Sequence, residues 1–219
     1  MHVRSSAVAL ACLLQCQCGP TPVPCTGPSQ CESGNECLAH RCVPLGSEPV
    51  AQDSQRLVAE VTELAVITSE GDFGGALPGF VALGAERTGT LELLLKFEPT
   101  WRAGGRIEQA FLLLDPLPQA RSAAAQVAVD VWRIEHAWSR ADVTWMSQPA
   151  LGYPKANGIA SSNGAPLRIE VTQLVNYLRE HPEHDYGVAL RAAAVHDTGV
   201  PYATGVAGGS APRIEVYGR

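Results

Sequence analysis

A chain of 219 residues with 46% hydrophobic content has room for one medium domain and a small appendage. Only 6% of residues are aromatic and 17% charged, while glycine (21) and proline (16) are frequent, which argues against a helical bundle and for short strands joined by turns. The formal net charge of -6, with no basic cluster, argues against a nucleic-acid partner.

Residues 1–18 read as an export signal. Arg4 supplies a weak positive start, and Ala7 to Leu14 form an apolar run too short to cross a bilayer. Cys12, Cys16 and Cys18 follow at once, an arrangement similar to a bacterial lipoprotein signal. Cys12 follows the small residues Ala9 and Ala11, while Cys16 has the longer apolar run before it, so lipidation at either stays open. Membrane attachment through an N-terminal lipid is the expectation, with a plain secretory peptide as the alternative.

All seven cysteines lie within the first 42 residues, which agrees with an oxidising destination. Residues 19–45 form a separate segment. A proline-rich lead-in, Gly19 to Pro24, precedes Cys25, Cys31, Cys37 and Cys42, with Ser33-Gly34-Asn35 as a turn. Four cysteines allow three pairings. A zinc site is the rival reading, but its usual C-x2-C spacing is absent. The spacing resembles the small cysteine-rich repeats common in myxobacterial surface proteins, with Gly34 at the matching place. The favoured pairing is Cys25–Cys37 with Cys31–Cys42. So few apolar residues lie here that bridges must hold the knot.

Residues 46–56 read as a linker, and from 57 the apolar period becomes two. Leu57, Ala59 and Val61, then Leu64 and Val66, mark a first strand. Leu91, Leu93, Leu95 and Phe97 mark a second, and the continuous run Ile107 to Leu114 a more buried third. Val127, Val129 and Val131 face one way; Ala128, Asp130 and Trp132 face the other. Leu167, Ile169 and Val171 alternate with Arg168 and Glu170. Val188 with Leu190, and Ile214 with Val216, mark the last strands. One helix interrupts the pattern: Thr172 is placed to cap Gln173 to Glu180, with Leu174, Val175 and Leu178 on one face and Pro182 beyond its end. The expectation is an all-β, jelly-roll-like two-sheet β-sandwich over 57–219 with one short helix, preceded by a small disulfide-rich knot.

Several blocks in this order resemble the DNRLRE family of secreted β-sandwich domains, related to carbohydrate-binding modules. They are Asp72-Phe73-Gly74, Leu93 to Phe97, Ala110 to Leu114, Trp138 with Val143-Thr144-Trp145, Val171 to Val175, Tyr186 to Leu190, and Pro212 to Val216. Glu98, Phe73 and the segment Tyr202 to Gly205 depart from the family pattern. The resemblance implies a β-sandwich and a binding role; it supplies no reaction, and it makes Trp138 and Trp145 structural.

Sugar recognition needs aromatic faces that stack on rings, plus fixed polar groups. The aromatic candidates are Trp101, Trp132, Trp138, Trp145, Tyr153 and Tyr202. For an acidic polysaccharide, Arg133, Arg168, Arg191 and Lys155 are the available cations. The first choice is Trp132 with Arg168 and Arg191 on one outer sheet face. Trp101, in a loop beside Pro99 and Gly104-Gly105, comes next. The expected partner is a polysaccharide or cell-surface glycan, with a protein-binding adhesive role as the alternative and a lyase or hydrolase role behind both. His196-Asp197 lacks a positioned nucleophile. His181, Glu183, His184 and Asp185 could outline a metal site, but a polar loop after a helix is the commoner meaning of such a cluster, and no metal is assigned. No cofactor is assigned either; a structural calcium would draw on the loop acids Glu70, Asp72 and Asp115.

Overall fold

A computed structural model describes residues 25, 30–38, 41–44, 55–71, 76–85, 89–103, 105–117, 126–162, 164–193, 199–206 and 210–219. Cys12 and Cys16, Asp72-Phe73-Gly74 and His196-Asp197 lie outside them. The chain divides into two compact units between residues 47 and 48.

In the first unit, β1 (Asn35–Leu38) and β2 (Arg41–Pro44) form an antiparallel pair. Cys25 is bonded to Cys37 and Cys31 to Cys42, the favoured pairing. Each bridge closes a loop of about a dozen residues, which by chain entropy alone stabilises the unit by about 3 kcal/mol.

The second unit is the expected two-sheet sandwich. Its strands are β3 (Gln55–Thr68), β4 (Phe80–Leu83), β5 (Leu91–Phe97), β6 (Ile107–Leu114), β7 (Gln126–Ile134), β8 (Leu151–Ser161), β9 (Leu167–Glu170), β10 (Val188–Ala192), β11 (Val200–Ala203) and β12 (Arg213–Gly218). Eight of them form one antiparallel ladder in the order β8-β7-β10-β5-β3-β12-β6-β9, and β4 pairs with β11 in a small separate sheet. The ladder turns into two sheets along β3. Residues 55–60 of β3 pair with β12, and residues 61–68 pair with β5. A bulge between Val61 and Glu63 marks the change, and it moves the inward positions from odd (Ala59) to even (Leu64, Val66) numbers. At the free ends β8 approaches β9, where a side chain on Gly158 would strike Ile169, so the ladder nearly closes.

The inner faces supply one large core. Leu93, Leu95, Phe97, Val129, Val131, Ile169, Val188 and Leu190 are all buried in it, as the alternation predicts. The helix α1 (Thr172–Glu180) buries Leu174, Val175 and Leu178 against the same core and packs on β6 and β8. Its start corrects the capping expectation. Thr172 is the first helical residue, and its hydroxyl accepts from the Ala110 amide (3.0 Å) and donates to Glu170 (3.2 Å). It ties the helix to β6 instead of capping it.

A second apolar cluster lies on the outer face of β3, β5, β7 and β10. Ala65, Ile67, Leu94, Ile134 and Ala189 are covered there by Trp138 and Val143, with Trp145 against the edge. The covering segment, residues 135–150, is braced internally: Thr144 and Ser147 exchange side-chain to backbone hydrogen bonds, and Ser139 donates to Asp142 at 2.6 Å. Trp138 Nε1 donates to the Tyr186 carbonyl (2.8 Å), and Lys96 Nζ sits 4.4 Å from the centre of its ring. Trp138 and Trp145 are thus structural anchors.

Candidate functional site

The strand β8 carries the most exposed part of the outer face. Its sequence reads poorly as a strand because it holds Gly152, Pro154 and Gly158. An edge strand tolerates such residues, since one side of its backbone pairs with no other described strand. Opposite the Trp132/Arg133 step of β7, β8 contains two extra residues, Tyr153 and Pro154. This bulge throws the Tyr153 side chain outward, where it is 71% exposed. Arg133 holds the bulge from beneath: its Nε donates to the Tyr153 carbonyl (2.7 Å), and its NH2 group to Glu135 (2.8 Å).

Tyr153 meets the partly exposed Trp132 edge to face, with ring centres 5.8 Å apart. Lys155, directly opposite Trp132 in the ladder, places Nζ 4.4 Å from the indole centre. Two further outward positions of β8 follow, Asn157 and Ile159, both exposed. From Tyr153 to Ile159 the strip is about 20 Å long at the usual rise of an extended strand. One edge of the strip is polar: Asp130 lies 3.6 Å from Lys155 Nζ.

Arg191 shares this outer face but is already committed. It stands opposite both Asp130 and Glu92, and its Nε donates to Glu92 Oε2 at 3.1 Å. Its NH2 group also bonds Glu92 and reaches Gln148 Oε1 (3.1 Å), and the guanidinium lies 5.8 Å from the Trp145 ring centre. Glu92 is fully buried. Desolvation pushes its carboxyl up despite the opposing pull of Arg191, and its Oε1 has no hydrogen-bond partner among the described residues.

Two expectations need correction. Arg168 does alternate outward, but on β9, in the other sheet, where its guanidinium lies 4.2 Å over the Phe111 ring. It therefore does not converge with Trp132 and Arg191. Trp101 is only 1% exposed: the short 3-10 turn Thr100–Arg102 folds it into the core, so it offers no stacking face. Tyr202 is likewise a core residue, and burial pushes its phenol up to about 12, the Ser161 amide bond opposing this. Of the calcium candidates, Asp115 is held by Arg213 at 2.9 Å.

A cleft of about 550 Å³ opens elsewhere, between the β3 bulge and the segments around Ser139 and Thr204. Glu63 lines it, bound by Lys96 Nζ (2.7 Å) and the Arg140 amide (2.7 Å). Burial raises the Glu63 carboxyl, but these two partners outweigh it and hold the group below its ordinary value. Among the described residues no aromatic side chain lines this cleft, whereas β8 presents one.

No protein-family model matches the chain, and no curated protein matches it.

Proposed function

We propose that this is an exported, non-catalytic binding protein whose sandwich holds a polysaccharide along the outer face of β7 and β8. The observation that carries the reading is the bulge-presented pair Tyr153 and Trp132, flanked by Lys155 and Asn157. Tyr153 is the stacking platform, since Lys155 already occupies the neighbourhood of the indole face. Lys155 and Asn157 supply donors and acceptors for sugar hydroxyls. The open strip suits the interior of a long chain better than a chain end. Two described acids near it support a non-catalytic role: Asp130 faces Lys155, and Glu92 of β5 is buried and paired with Arg191.

Within the expected class of polysaccharide or cell-surface glycan, the charges favour a neutral ligand over an acidic one. Lys155 has Asp130, Arg191 has Glu92, and the whole chain is net negative. The two disulfides support an oxidising compartment. The order of sequence blocks resembling the DNRLRE family supports a secreted binding domain, and the cysteines near the N-terminus support lipid attachment at Cys12 or Cys16.

Affinity electrophoresis through gels containing one polysaccharide each tests the reading. A neutral panel of dextran, galactomannan and mixed-linkage β-glucan is set against alginate and polygalacturonate. The expected result is retardation by at least one neutral polymer that persists at high salt. Retardation by the acidic polymers alone, weakening steeply as salt rises, would contradict it.

A further inference from the structure

We infer that His181, Glu183 and His184 form a surface site for a borderline divalent transition metal such as zinc. The local fold brings the three together. His181 ends α1, and Pro182 starts a 3-10 turn, Pro182–His184, in which the His184 amide donates to the His181 carbonyl at 2.9 Å. Side chains three residues apart eclipse in such a turn. The two imidazoles accordingly stack, with centres 5.9 Å apart and planes at 28°. Glu183 Oε1 lies 3.8 Å from Nδ1 of each histidine, and the three donor atoms fall within 4.8 Å of one another.

The support beneath is fixed. The Tyr177 ring packs 4.5 Å from His181, its hydroxyl is 3.4 Å from His184 Nδ1, and the Arg133 guanidinium lies 4.8 Å from the Tyr177 ring centre. Metal bonds of about 2.0–2.1 Å require donors roughly 3.3 Å apart in a tetrahedron. A small rotation of these solvent-facing side chains closes the present separations to that value. The solvent side leaves the remaining coordination position to water. Two imidazoles and one carboxylate suit zinc, copper or nickel; calcium and magnesium prefer oxygen ligands alone.

The test is calorimetric titration of the full chain with zinc chloride after alkylation of free thiols, because Cys12, Cys16 and Cys18 would otherwise compete. The expected result is one equivalent bound, weakened by at least about tenfold in His181→Ala, Glu183→Gln and His184→Ala, since even an outer partner of a metal ligand is worth that much. His136→Ala should bind as the parent does, and calcium chloride should give no binding. Circular dichroism checks that each variant is folded. The side-chain ¹⁵N resonances of the unmutated chain provide a readout independent of mutation, with His181 and His184 shifting together at one equivalent. Absence of zinc uptake by the alkylated chain, or unchanged uptake by the His181→Ala/His184→Ala double variant, would overturn the assignment.

Discussion

Arg191→Ala should destabilise the sandwich by about 2–3 kcal/mol at neutral pH, as read from urea unfolding. Removing one partner of a fully buried ion pair costs about 3–5 kcal/mol. The figure here is lower because the Arg191 side chain is 34% exposed, so solvent already screens that end of the pair. The loss comes from Glu92, which is left buried with neither oxygen partnered by a cation. Its pH dependence follows from the sign of the shift. The folded-state pKa of Glu92 is raised above its ordinary 4.5, so folding takes up a proton between the two values. The penalty is therefore absent below the ordinary value and develops as pH rises toward the folded one. Without Arg191 the folded value climbs further, so the difference between variant and parent should shrink toward about pH 4 and grow toward neutrality. Adding Glu92→Gln to Arg191→Ala should recover most of the loss, because a neutral amide has no charge to strand. A deficit that is independent of pH, or unaffected by Glu92→Gln, would show that Arg191 acts by packing alone.

Trp138→Ala should cost more, about 3–4 kcal/mol, in line with other buried tryptophan truncations. The indole closes the outer cluster, bonds the Tyr186 carbonyl through Nε1 and receives Lys96 over its ring. Its loss should also release the segment 135–150 from the sheet. Trypsin should then cut after the exposed Arg140 well before the sandwich unfolds. A change under about 1 kcal/mol with no new cleavage would mean that the segment is held elsewhere.

These two residues show what a sequence discloses here and what it hides. The inner face is legible because it depends only on alternation along single strands, as in Val127, Val129 and Val131. Even the β3 bulge leaves a trace: the apolar positions slip from odd to even between Val61 and Leu64. The outer cluster is not legible in the same way. Glu92 and Leu94 occupy the positions that alternation assigns to solvent, and they are buried because a segment some forty residues later folds over them. The Trp138 to Trp145 motif signals that such an anchor exists, without saying which surface it covers.

The candidate site divides along the same line. That Trp132, Arg168 and Arg191 point outward follows from the period of two. Which sheet each belongs to depends on strand order, and Arg168 falls on the other sheet. Tyr153 is among the aromatic candidates of the sequence, but its exposure beside Trp132 emerges only once β8 is seen as an edge strand with a bulge, since glycine, proline and asparagine disguise that strand as a loop. Trp101 misleads for the opposite reason: its neighbours look like an exposed loop, yet a single 3-10 turn carries the indole inward.

The most direct test of binding on the β7–β8 face is the affinity of Tyr153→Ala and Trp132→Ala for the neutral polysaccharide that most retards the parent protein. Arg168→Ala, on the opposite sheet, serves as the reference. Tyr153→Ala should weaken binding roughly tenfold, about 1.4 kcal/mol, while its unfolding midpoint barely moves because the ring is exposed. Trp132→Ala should weaken it as well, and Arg168→Ala should leave it unchanged. Unaltered affinity in both aromatic variants, or a loss confined to Arg168→Ala, would contradict binding on this face.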